Sequence, residues 1–409
     1  MPAVPPNESH GRTFSVRVTS GAEFLGVAGP FAVEVPWWSE VEPVIACLRR
    51  ALGVEVLVLR LLGVEGGEGG RDGHVTYHVE ALERPAPGLL SPAPAWPSLF
   101  APHELRSPWA RLEGVRELYG WASAALAAAG RTVTGPIRQR RTWNLSGLFR
   151  LPTDQGTAWL KAVPPFSADE AAAIAAFAAV DPGLVPTVIA AGQGRILLEH
   201  LPGVDGWNAP AGVLTSAVTR LVAAQAALAG SAVPGLRELP WRSRAERVRA
   251  LLARLGEATP PAGLTREESA AADRLIGRWT LLERCGLPET VVHGDFHPGN
   301  WRADGGPPVV YDFSDAHIGD PVLDGLRVLA FLPRDRRPAA ARAWIDAWLA
   351  HAPGSDPAGA LAIAEPLAHL HYAVRYQEFL DGIEPSERIY HLDDPATEIR
   401  AALRAAGPY

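Results

Sequence analysis

One segment constrains the fold of this chain more than any other. It places a carboxylate and an amide before a short apolar stretch and a second carboxylate directly after that stretch. It is His293-Gly-Asp-Phe-His-Pro-Gly-Asn300, and Asp312-Phe-Ser-Asp315 begins twelve residues after Asn300. The apolar residues 309–311 predict a short strand that delivers Asp312 to the same place. Carboxylate and amide oxygens are the ligands that Mg²⁺ prefers, and an aspartate can take a proton from a hydroxyl. The pattern therefore predicts a site built from one loop and the end of one strand.

Lysine is almost absent from the chain. Lys161 is the single lysine among 38 basic residues, and the other 37 are arginines. It lies in Trp159-Leu-Lys161-Ala-Val163, an apolar alternating segment that predicts a strand. Protein kinases place a strand lysine at the α- and β-phosphates of the nucleotide. We therefore expect Lys161 to share a site with the loop and the strand end.

Length and composition set the outer bounds of the interpretation. A chain of 409 residues, 47% hydrophobic and 20% charged, predicts a globular protein of two or three domains. The amino terminus lacks a signal-peptide pattern, and no apolar run reaches the roughly 18 residues of a membrane span. Cys47 and Cys285 lie far apart, which favours reduced thiols in the cytoplasm. We expect no membrane partner, and the net charge of −7 argues against nucleic acid.

The negative charge is concentrated near the carboxy terminus. Residues 354–398 contain nine acidic residues and two arginines, which equals the net charge of the whole chain. An acidic face would attract a cationic acceptor by focusing the electric field in a cleft. The alternative is a solvated helix surface with no role in binding.

Four parts are predicted along the chain. Residues 1–85 form a small α+β accessory domain with a strand at 31–35 and a helix at 38–52, serving as a lid, a docking module or a stabilising unit. A Pro-rich linker follows at 86–105. Residues 106–202 form a lobe rich in strands, and residues 203–409 form a helical lobe. Within these lobes we expect a helix at 168–179 capped by Ser167, and one at 265–284 that begins with a capping box of Thr265 and Glu268.

Residues 137–332 resemble the aminoglycoside phosphotransferase and choline kinase-like family. The resemblance is carried by His-Gly-Asp-x4-Asn at 293–300, by the downstream Asp312-Phe and by the lysine strand. It implies a two-lobed protein-kinase-like α+β fold, with an antiparallel sheet in the N-lobe (106–202) and a mostly helical C-lobe (203–409). Residues 1–105 lie outside the resemblance, as an extra small α/β domain and its linker.

The resemblance also implies roles for individual residues. Asp295 is the expected catalytic residue, which orients the acceptor hydroxyl and takes its proton. Asn300 and Asp312 are the expected Mg²⁺ ligands. Lys161 is expected to contact the phosphates, oriented by Glu170.

Nucleotide contacts are expected on the sheet side. Ser146 and Gly147 would lie over the phosphates, although this hairpin lacks the Gly-x-Gly-x-x-Gly pattern of protein kinases. Backbone groups of Glu199 and Leu201 would meet the adenine edge.

Supporting residues are expected around the loop 293–300, which the resemblance implies to be the catalytic loop and which keeps this name below. His293 is interpreted as a brace of that loop, whereas His297 lies either near the acceptor or in the packed interior. Asp320 and Asp324 are interpreted as supports of the metal loop or as helix-start residues. Asp315 receives no role.

The acceptor site is predicted between the catalytic loop and the carboxy-terminal helices. Tyr376, Glu378 and Asp381 are the candidate substrate residues, with Tyr372 and Glu384 as further members. The alternative is that the tyrosines pack in the core and the acids are solvated.

The sequence thus predicts an ATP- and Mg²⁺-dependent O-phosphotransferase acting on a hydroxylated small molecule, with an aminoglycoside-like or other cationic acceptor, and hence antibiotic resistance, as one option. GTP is the alternative donor. A nucleotide-binding pseudokinase or scaffold is the alternative function, followed by a metallohydrolase. Acceptor identity and oligomeric state are left open.

Overall fold

The computed structural model describes residues 11–259 and 262–407. Its first unit is a four-stranded sheet with one helix. The strands are β1 (Arg12–Ser20), β2 (Glu23–Val33), β3 (Val56–Glu65) and β4 (His74–Ala81), in the order β2-β1-β4-β3 with β1 parallel to β4. Helix α1 (Glu42–Leu52) packs an apolar face on this sheet and ends at Gly53, whose φ of 71° suits glycine.

The second sheet is antiparallel and forms the N-lobe. Its order is β5-β6-β7-β9-β8, which places β7 in the middle. The strands are β5 (Arg138–Thr142), β6 (Gly147–Thr153), β7 (Gly156–Ala162), β8 (Val188–Gly192) and β9 (Arg195–Glu199). Helix α2 (Leu112–Ala128) packs on this sheet, and α3 (Glu170–Val180) lies between β7 and β8 in the chain. The central position of β7 buries its residues and holds Lys161 between the lobes.

The C-lobe is mostly helical. Its helices are α4 (Ala211–Ala227), α5 (Trp241–Glu257), α6 (Arg266–Leu275), α7 (Arg278–Glu283), α8 (Val322–Phe331), α9 (Arg337–His351), α10 (Pro357–Gly382) and α11 (Asp394–Ala405). Two small sheets lie among them, in the orders β10-β13-β14 and β11-β15-β12. Their strands are β10 (Val204–Asp205), β11 (Arg237–Glu238), β12 (Thr290–Val292), β13 (Trp301–Ala303), β14 (Val309–Val310) and β15 (His317–Gly319). The predicted two-lobed α+β fold is confirmed.

Several predicted elements differ from the observed ones. The strand predicted at 31–35 is the end of the longer β2, and the helix predicted from residue 38 begins at Glu42. The single helix predicted at 265–284 is divided into α6 and α7 near Gly277. The capping box of Thr265 and Glu268 is confirmed.

The cap predicted for α3 was wrong. Asp169 caps this helix, and its side chain accepts a hydrogen bond from the backbone N–H of Ala172 at 3.1 Å. The backbone N–H of Ser167 instead donates to Pro164, and that of Ala168 donates to Ser314. The predicted cap residue therefore belongs to the turn before the helix.

The first unit packs tightly against the C-lobe. Tyr390 lies between α10 and α11 and inserts its ring into the core of the first sheet, 5.4 Å from the ring centroid of Trp38. Nη1 of Arg60 on β3 lies 2.6 Å from Oε2 of Glu384, and both side chains are buried. Glu387 Oε1 accepts from the backbone N–H of Leu61 at 3.0 Å. The unit is therefore joined to the C-lobe by apolar and charged contacts. No helix in the described ranges is long and apolar enough to cross a membrane.

Candidate active site

Lys161 lies at the centre of a buried polar cluster between the lobes. Its Nζ donates to Oε2 of Glu170 at 2.8 Å, Oδ1 of Asp312 at 2.6 Å and Oγ of Ser314 at 2.7 Å. Oε1 of Glu170 accepts from the backbone N–H of Phe313 at 3.1 Å. Burial alone would lower the pKa of Lys161, but the carboxylates of Asp312 and Glu170 outweigh it and raise that pKa. The ammonium is therefore charged and held at a fixed position.

Asp312 follows β14 in an unusual backbone conformation. Its φ is 69°, a left-handed value that asparagine and aspartate tolerate better than most residues. The preceding residue, Tyr311, donates its N–H to the carbonyl of Asn300 at 2.9 Å. The turn therefore ties the end of the strand to the catalytic loop and directs the Asp312 carboxylate toward Lys161.

Asp324 supports the catalytic loop through its backbone. Its two carboxylate oxygens accept from the N–H groups of His293 at 2.8 Å and Gly294 at 2.9 Å. Gln225 adds a hydrogen bond at 2.7 Å, and Asp324 is buried. Asp320 accepts from the first backbone N–H of α8 at 3.0 Å. Both aspartates thus lie at the helix start, where Asp324 supports the loop and Asp320 accepts from the backbone of the first helical residue.

The two histidines of the loop have different surroundings. His293 is buried, with its Nε2 3.0 Å from the carbonyl of Tyr311 and its ring 4.5 Å from that of Phe313. His297 stacks on Phe331, with centroids 4.5 Å apart. Its Nε2 lies 3.3 Å from Oδ2 of Asp295. His297 is therefore both packed and close to the carboxylate.

Asp295 is held by a cation that the sequence did not reveal. Nε of Arg327 on α8 donates to its Oδ1 at 2.7 Å, and Nδ2 of Asn300 donates to its Oδ2 at 3.1 Å. Burial would raise the pKa of Asp295, but Arg327 and His297 outweigh this effect and hold it well below its usual range. The side chain is therefore an ionised carboxylate of fixed orientation.

Two oxygens in this region suit a divalent cation. Nδ2 of Asn300 donates to the carbonyl of Asp295 at 2.9 Å, and its Oδ1 accepts no hydrogen bond from the described residues. Oδ1 of Asp312 accepts from Lys161 and Ser314, and its Oδ2 likewise accepts no hydrogen bond from the described residues. No cluster of three or more histidine, cysteine or acidic residues in the described ranges could form a metal cage. This donor set fits Mg²⁺, which takes few protein ligands together with water and phosphate oxygens.

The residues expected on the nucleotide side lie at the start of β6 or just before it, and at the end of β9 or just after it. Oγ of Ser146 accepts from Nε1 of Trp143 at 2.9 Å, and both residues line the cavity between the lobes. A Cβ on Gly147 would lie 2.8 Å from the Trp109 ring, so packing alone requires a glycine there. The N–H of Glu199 donates to Thr187 within the sheet. Leu201 follows β9, where the chain leaves the N-lobe.

A cavity of about 210 Å³ joins the Lys161 cluster to the C-lobe. Asp295, Tyr372, Tyr376 and Glu378 line it, and the last three are among the residues predicted for the acceptor site. Glu384 is not among the lining residues, because it points into the contact with Arg60 described above.

Asp381 also lies outside the cavity lining, on the exposed side of α10, where it pairs with Arg254. Glu378 is in the lining, but its carboxylate pairs with Arg237, Arg247 and Arg375. The acidic residues of α10 therefore do not form an open negative face in the cavity.

Arginines dominate the C-lobe side of the cavity, which the sequence did not reveal. They are Arg237, Arg244, Arg247, Arg327 and Arg375. Four carboxylates line the cavity with them, Asp295, Asp312, Asp315 and Glu378, and Lys161 adds a sixth cation from the N-lobe. The lining as a whole thus carries an excess of two positive charges. An Arg-x6-Arg-x2-Arg pattern at 237–247 was visible in the sequence, but nothing in it showed that these side chains face the catalytic loop.

The fold and this site define a small-molecule kinase built on the protein-kinase-like fold. The model of the phosphotransferase enzyme family matches residues 144–361, which is 218 of the 409 residues. The chain belongs to this family, and it is a phosphotransferase that acts on small molecules. The family that was expected from the sequence is therefore confirmed.

Solved structures share the fold. The choline kinase from Streptococcus pneumoniae matches with a TM-score of 0.52 and 13% identity, over 71% of this chain and 99% of that one. A choline/ethanolamine kinase family protein from Mesorhizobium loti matches with a TM-score of 0.50 and 18% identity, over 70% and 98%. No curated protein matches the chain. At these identities the likeness establishes the fold alone.

Proposed function

We propose that the protein transfers the γ-phosphoryl group of ATP to a hydroxyl group of a small molecule. One observation carries the proposal: Lys161, Asp295 and Asp312 face one cavity, with Asn300 beside Asp295. This set is what phosphoryl transfer requires, because the chemistry depends on positioning and charge stabilisation. GTP is the alternative donor.

Each residue has a role that follows from its contacts. Lys161 binds the donor phosphates, since its ammonium is charged and fixed by Glu170. Asn300 Oδ1 and Asp312 Oδ2 would hold Mg²⁺, which supplies positive charge against the phosphate oxygens when bound. Asp295 accepts a hydrogen bond from the acceptor hydroxyl and orients its oxygen.

In the balanced reaction, the acceptor oxygen forms a bond to the γ-phosphorus as the bond to the ADP oxygen breaks. The hydroxyl proton leaves toward Asp295. The depressed pKa of Asp295 makes it a weak base, so this proton is transferred late, when the acceptor oxygen has become acidic through bonding to phosphorus. Orientation is then the larger part of the Asp295 contribution.

The accessory unit is proposed to stabilise the acceptor wall. Tyr390 is anchored in its core, and the next residue, His391, lines the cavity and stacks on Tyr376 with centroids 5.6 Å apart. Loss of the anchor would release this part of the wall. The sequence predicted a lid, a docking module or a stabilising unit for residues 1–85. This contact supports the stabilising role.

A coupled assay of ADP release over a panel of amino sugars, sugars, hydroxy acids, choline analogues and nucleosides tests the proposal. Asp295→Asn should lower turnover by roughly 100- to 10,000-fold and leave ATP binding nearly unchanged. Asp381→Asn is the matched control, because Asp381 lies outside the cavity. Turnover above about a tenth of the wild-type value in Asp295→Asn would refute the assignment. ATP binding without transfer to any acceptor would favour a pseudokinase.

A further inference from the structure

We propose that the acceptor carries an anionic group, a carboxylate or a phosphate, and that Arg244 binds this group while Asp295 orients the hydroxyl. This inference rests on the proposed function and specifies its acceptor. It replaces the cationic acceptor that the acidic carboxy-terminal segment suggested.

Arg244 is a buried cation that forms no ion pair with any residue that the structure describes. The residue is 6% exposed and lines the cavity from α5. Its Nε and Nη2 have no hydrogen-bond partner among the described residues, and no described carboxylate forms an ion pair with it. Asp320 and Glu289 act on it only at longer range, and burial lowers the pKa of Arg244. A guanidinium in this state is costly for the fold, and a bound anion would offset that cost.

The carboxylates of the cavity wall are already engaged. Glu378 pairs with three arginines, as described above, and Asp315 pairs with Arg375 at 2.7 Å. Asp295 is paired with Arg327. None of these acids is available to neutralise Arg244. The positive charge of its guanidinium is therefore available to an anionic ligand in the cavity.

The chain makes room for Arg244 beside β15. A Cβ on Gly319 would lie 2.2 Å from Nη2 of Arg244, so only glycine fits there without displacement of the guanidinium. His317, on the same strand, is 1% exposed, with Nδ1 3.0 Å from the carbonyl of Asp315 and Nε2 without a partner in the described chain. Its ring stacks on His371, with centroids 5.3 Å apart.

These histidines do not act as competing cations. Burial and the charge of Arg244 lower the pKa of His317 to about 3 and that of His371 well below its usual value. Both rings are therefore neutral at physiological pH. The carbonyl of Asp315 contacts His317 on one side and, on the other, lies 2.3 Å from where a Cβ of Gly294 would be. Arg244 and the catalytic loop are thus linked by a short chain of contacts along one wall.

Arg244 is separate from the expected phosphate-binding residue. Lys161 belongs to β7 of the N-lobe, whereas Arg244 belongs to α5 of the C-lobe. A guanidinium matches the planar, bidentate geometry of carboxylate and phosphate oxygens. We therefore assign it to the acceptor and not to the nucleotide.

Four sugars on one carbon skeleton test the proposal: glucose, gluconate, glucosamine and glucose 6-phosphate. Binding to the full-length protein is measured by calorimetry at constant ionic strength with a non-hydrolysable ATP analogue, and transfer is measured by ADP release. Gluconate or glucose 6-phosphate should bind at least about tenfold more tightly than glucose, as a charge-assisted hydrogen bond predicts. Whichever of the two is preferred identifies the anionic group as a carboxylate or a phosphate.

Arg244→Gln should abolish the preference for the anionic sugars and leave affinity for the ATP analogue unchanged. Arg249→Gln, an exposed arginine on the same helix, should change neither. Arg244→Lys should retain part of the preference, because it keeps the charge. If Arg244→Gln does not fold, the wild-type comparison of the four sugars decides alone.

Equal or tighter binding of glucose or glucosamine would overturn the proposal. Loss of ATP-analogue affinity in Arg244→Gln with an unchanged sugar preference would also overturn it, because Arg244 would then serve the nucleotide. Arg244-dependent binding of an anionic sugar without any transfer would leave the anion site standing and refute the phosphotransferase function. Transfer to a neutral or cationic sugar, without a preference for the anionic ones, would support the phosphotransferase function and refute the anion site.

Discussion

The guanidinium of Arg327 and the carboxylate of Asp295 form an ion pair on the cavity wall, with Nε 2.7 Å from Oδ1. Arg327 is held between two rings, 4.5 Å from the centroid of Phe331 and 4.6 Å from that of Tyr372. A cation fixed in this way stabilises the charged form of its partner. Asp295 is therefore ionised throughout the physiological pH range.

Replacing Arg327 should move the pH dependence of the reaction. In Arg327→Gln the pKa of Asp295 should rise strongly, because the neighbouring charge is lost and burial, which raises this pKa, is opposed by less positive charge. The acid limb of kcat/KM should shift to higher pH, since Asp295 would become protonated earlier as the pH falls. A pH series of initial rates checks this. Arg334→Gln, exposed in the loop after α8, is the control, and an unchanged acid limb in Arg327→Gln would contradict the prediction.

Asp312→Asn should remove much of the Mg²⁺ dependence of nucleotide binding. Asparagine tolerates the left-handed backbone at this position, so the turn is kept while the charged oxygen is lost. Calorimetry of ATP binding with and without Mg²⁺ measures the effect. Asp304→Asn, exposed in the loop between β13 and β14, should behave like the wild type. Equal metal dependence in both variants would place the ligand elsewhere.

Glu384→Gln should destabilise the protein strongly. The change leaves Arg60, which is 2% exposed, without its counter-ion, and breaking such a buried pair costs roughly 3–5 kcal/mol. Urea denaturation gives the free energy of unfolding. Asp381→Asn is the control, because its exposed pair with Arg254 should be worth about 0–1 kcal/mol. Similar small losses in both variants would show that the first unit is not held by Arg60.

Glu387 should make stability depend on pH. Burial raises its pKa in the folded state to about 8, above the value of about 4.3 for an unfolded chain. The folded state then holds the proton more tightly, so this residue lowers the free energy of unfolding as the pH rises from about 4 through 8. Glu387→Gln keeps an oxygen for the N–H of Leu61 and should flatten this decline, by at most about 1.4 kcal/mol per pH unit.

Urea denaturation at pH 5, 6.5 and 8 checks the Glu387 prediction. Glu365→Gln, an exposed position on α10, should retain the wild-type pH dependence. If Glu387→Gln retains it as well, the carboxyl group of Glu387 is charged in the folded protein and the prediction is wrong.

The sequence predicted the loop 293–300, the lysine strand and the two lobes because their signals are local. The spacing from Asp295 to Asn300 lies within one loop, and the alternation around Lys161 lies within one strand. The contact of Arg327 with Asp295 spans 32 positions and depends on how α8 packs, so no local pattern announced it.

Acidic composition did not reveal the charge around the cavity for the same reason. Glu378 and its partner Arg247 are 131 positions apart, and only the packing of α5 against α10 brings them together. The charges summed over residues 354–398 therefore predicted an acidic face, whereas the side chains that line the cavity give it a net positive charge. Short-range errors, such as the cap of α3, arose where two nearby polar residues could each cap the start of the same helix.

The side chain of Lys161 can be observed selectively by NMR spectroscopy. Because the chain holds no other lysine, isotopic labelling of lysine side chains would give one amine resonance, from the atom that contacts Asp312 and Glu170. That single signal would report on the junction of the two lobes without interference from the protein surface. Such a label needs neither a mutation nor an assignment of the resonance.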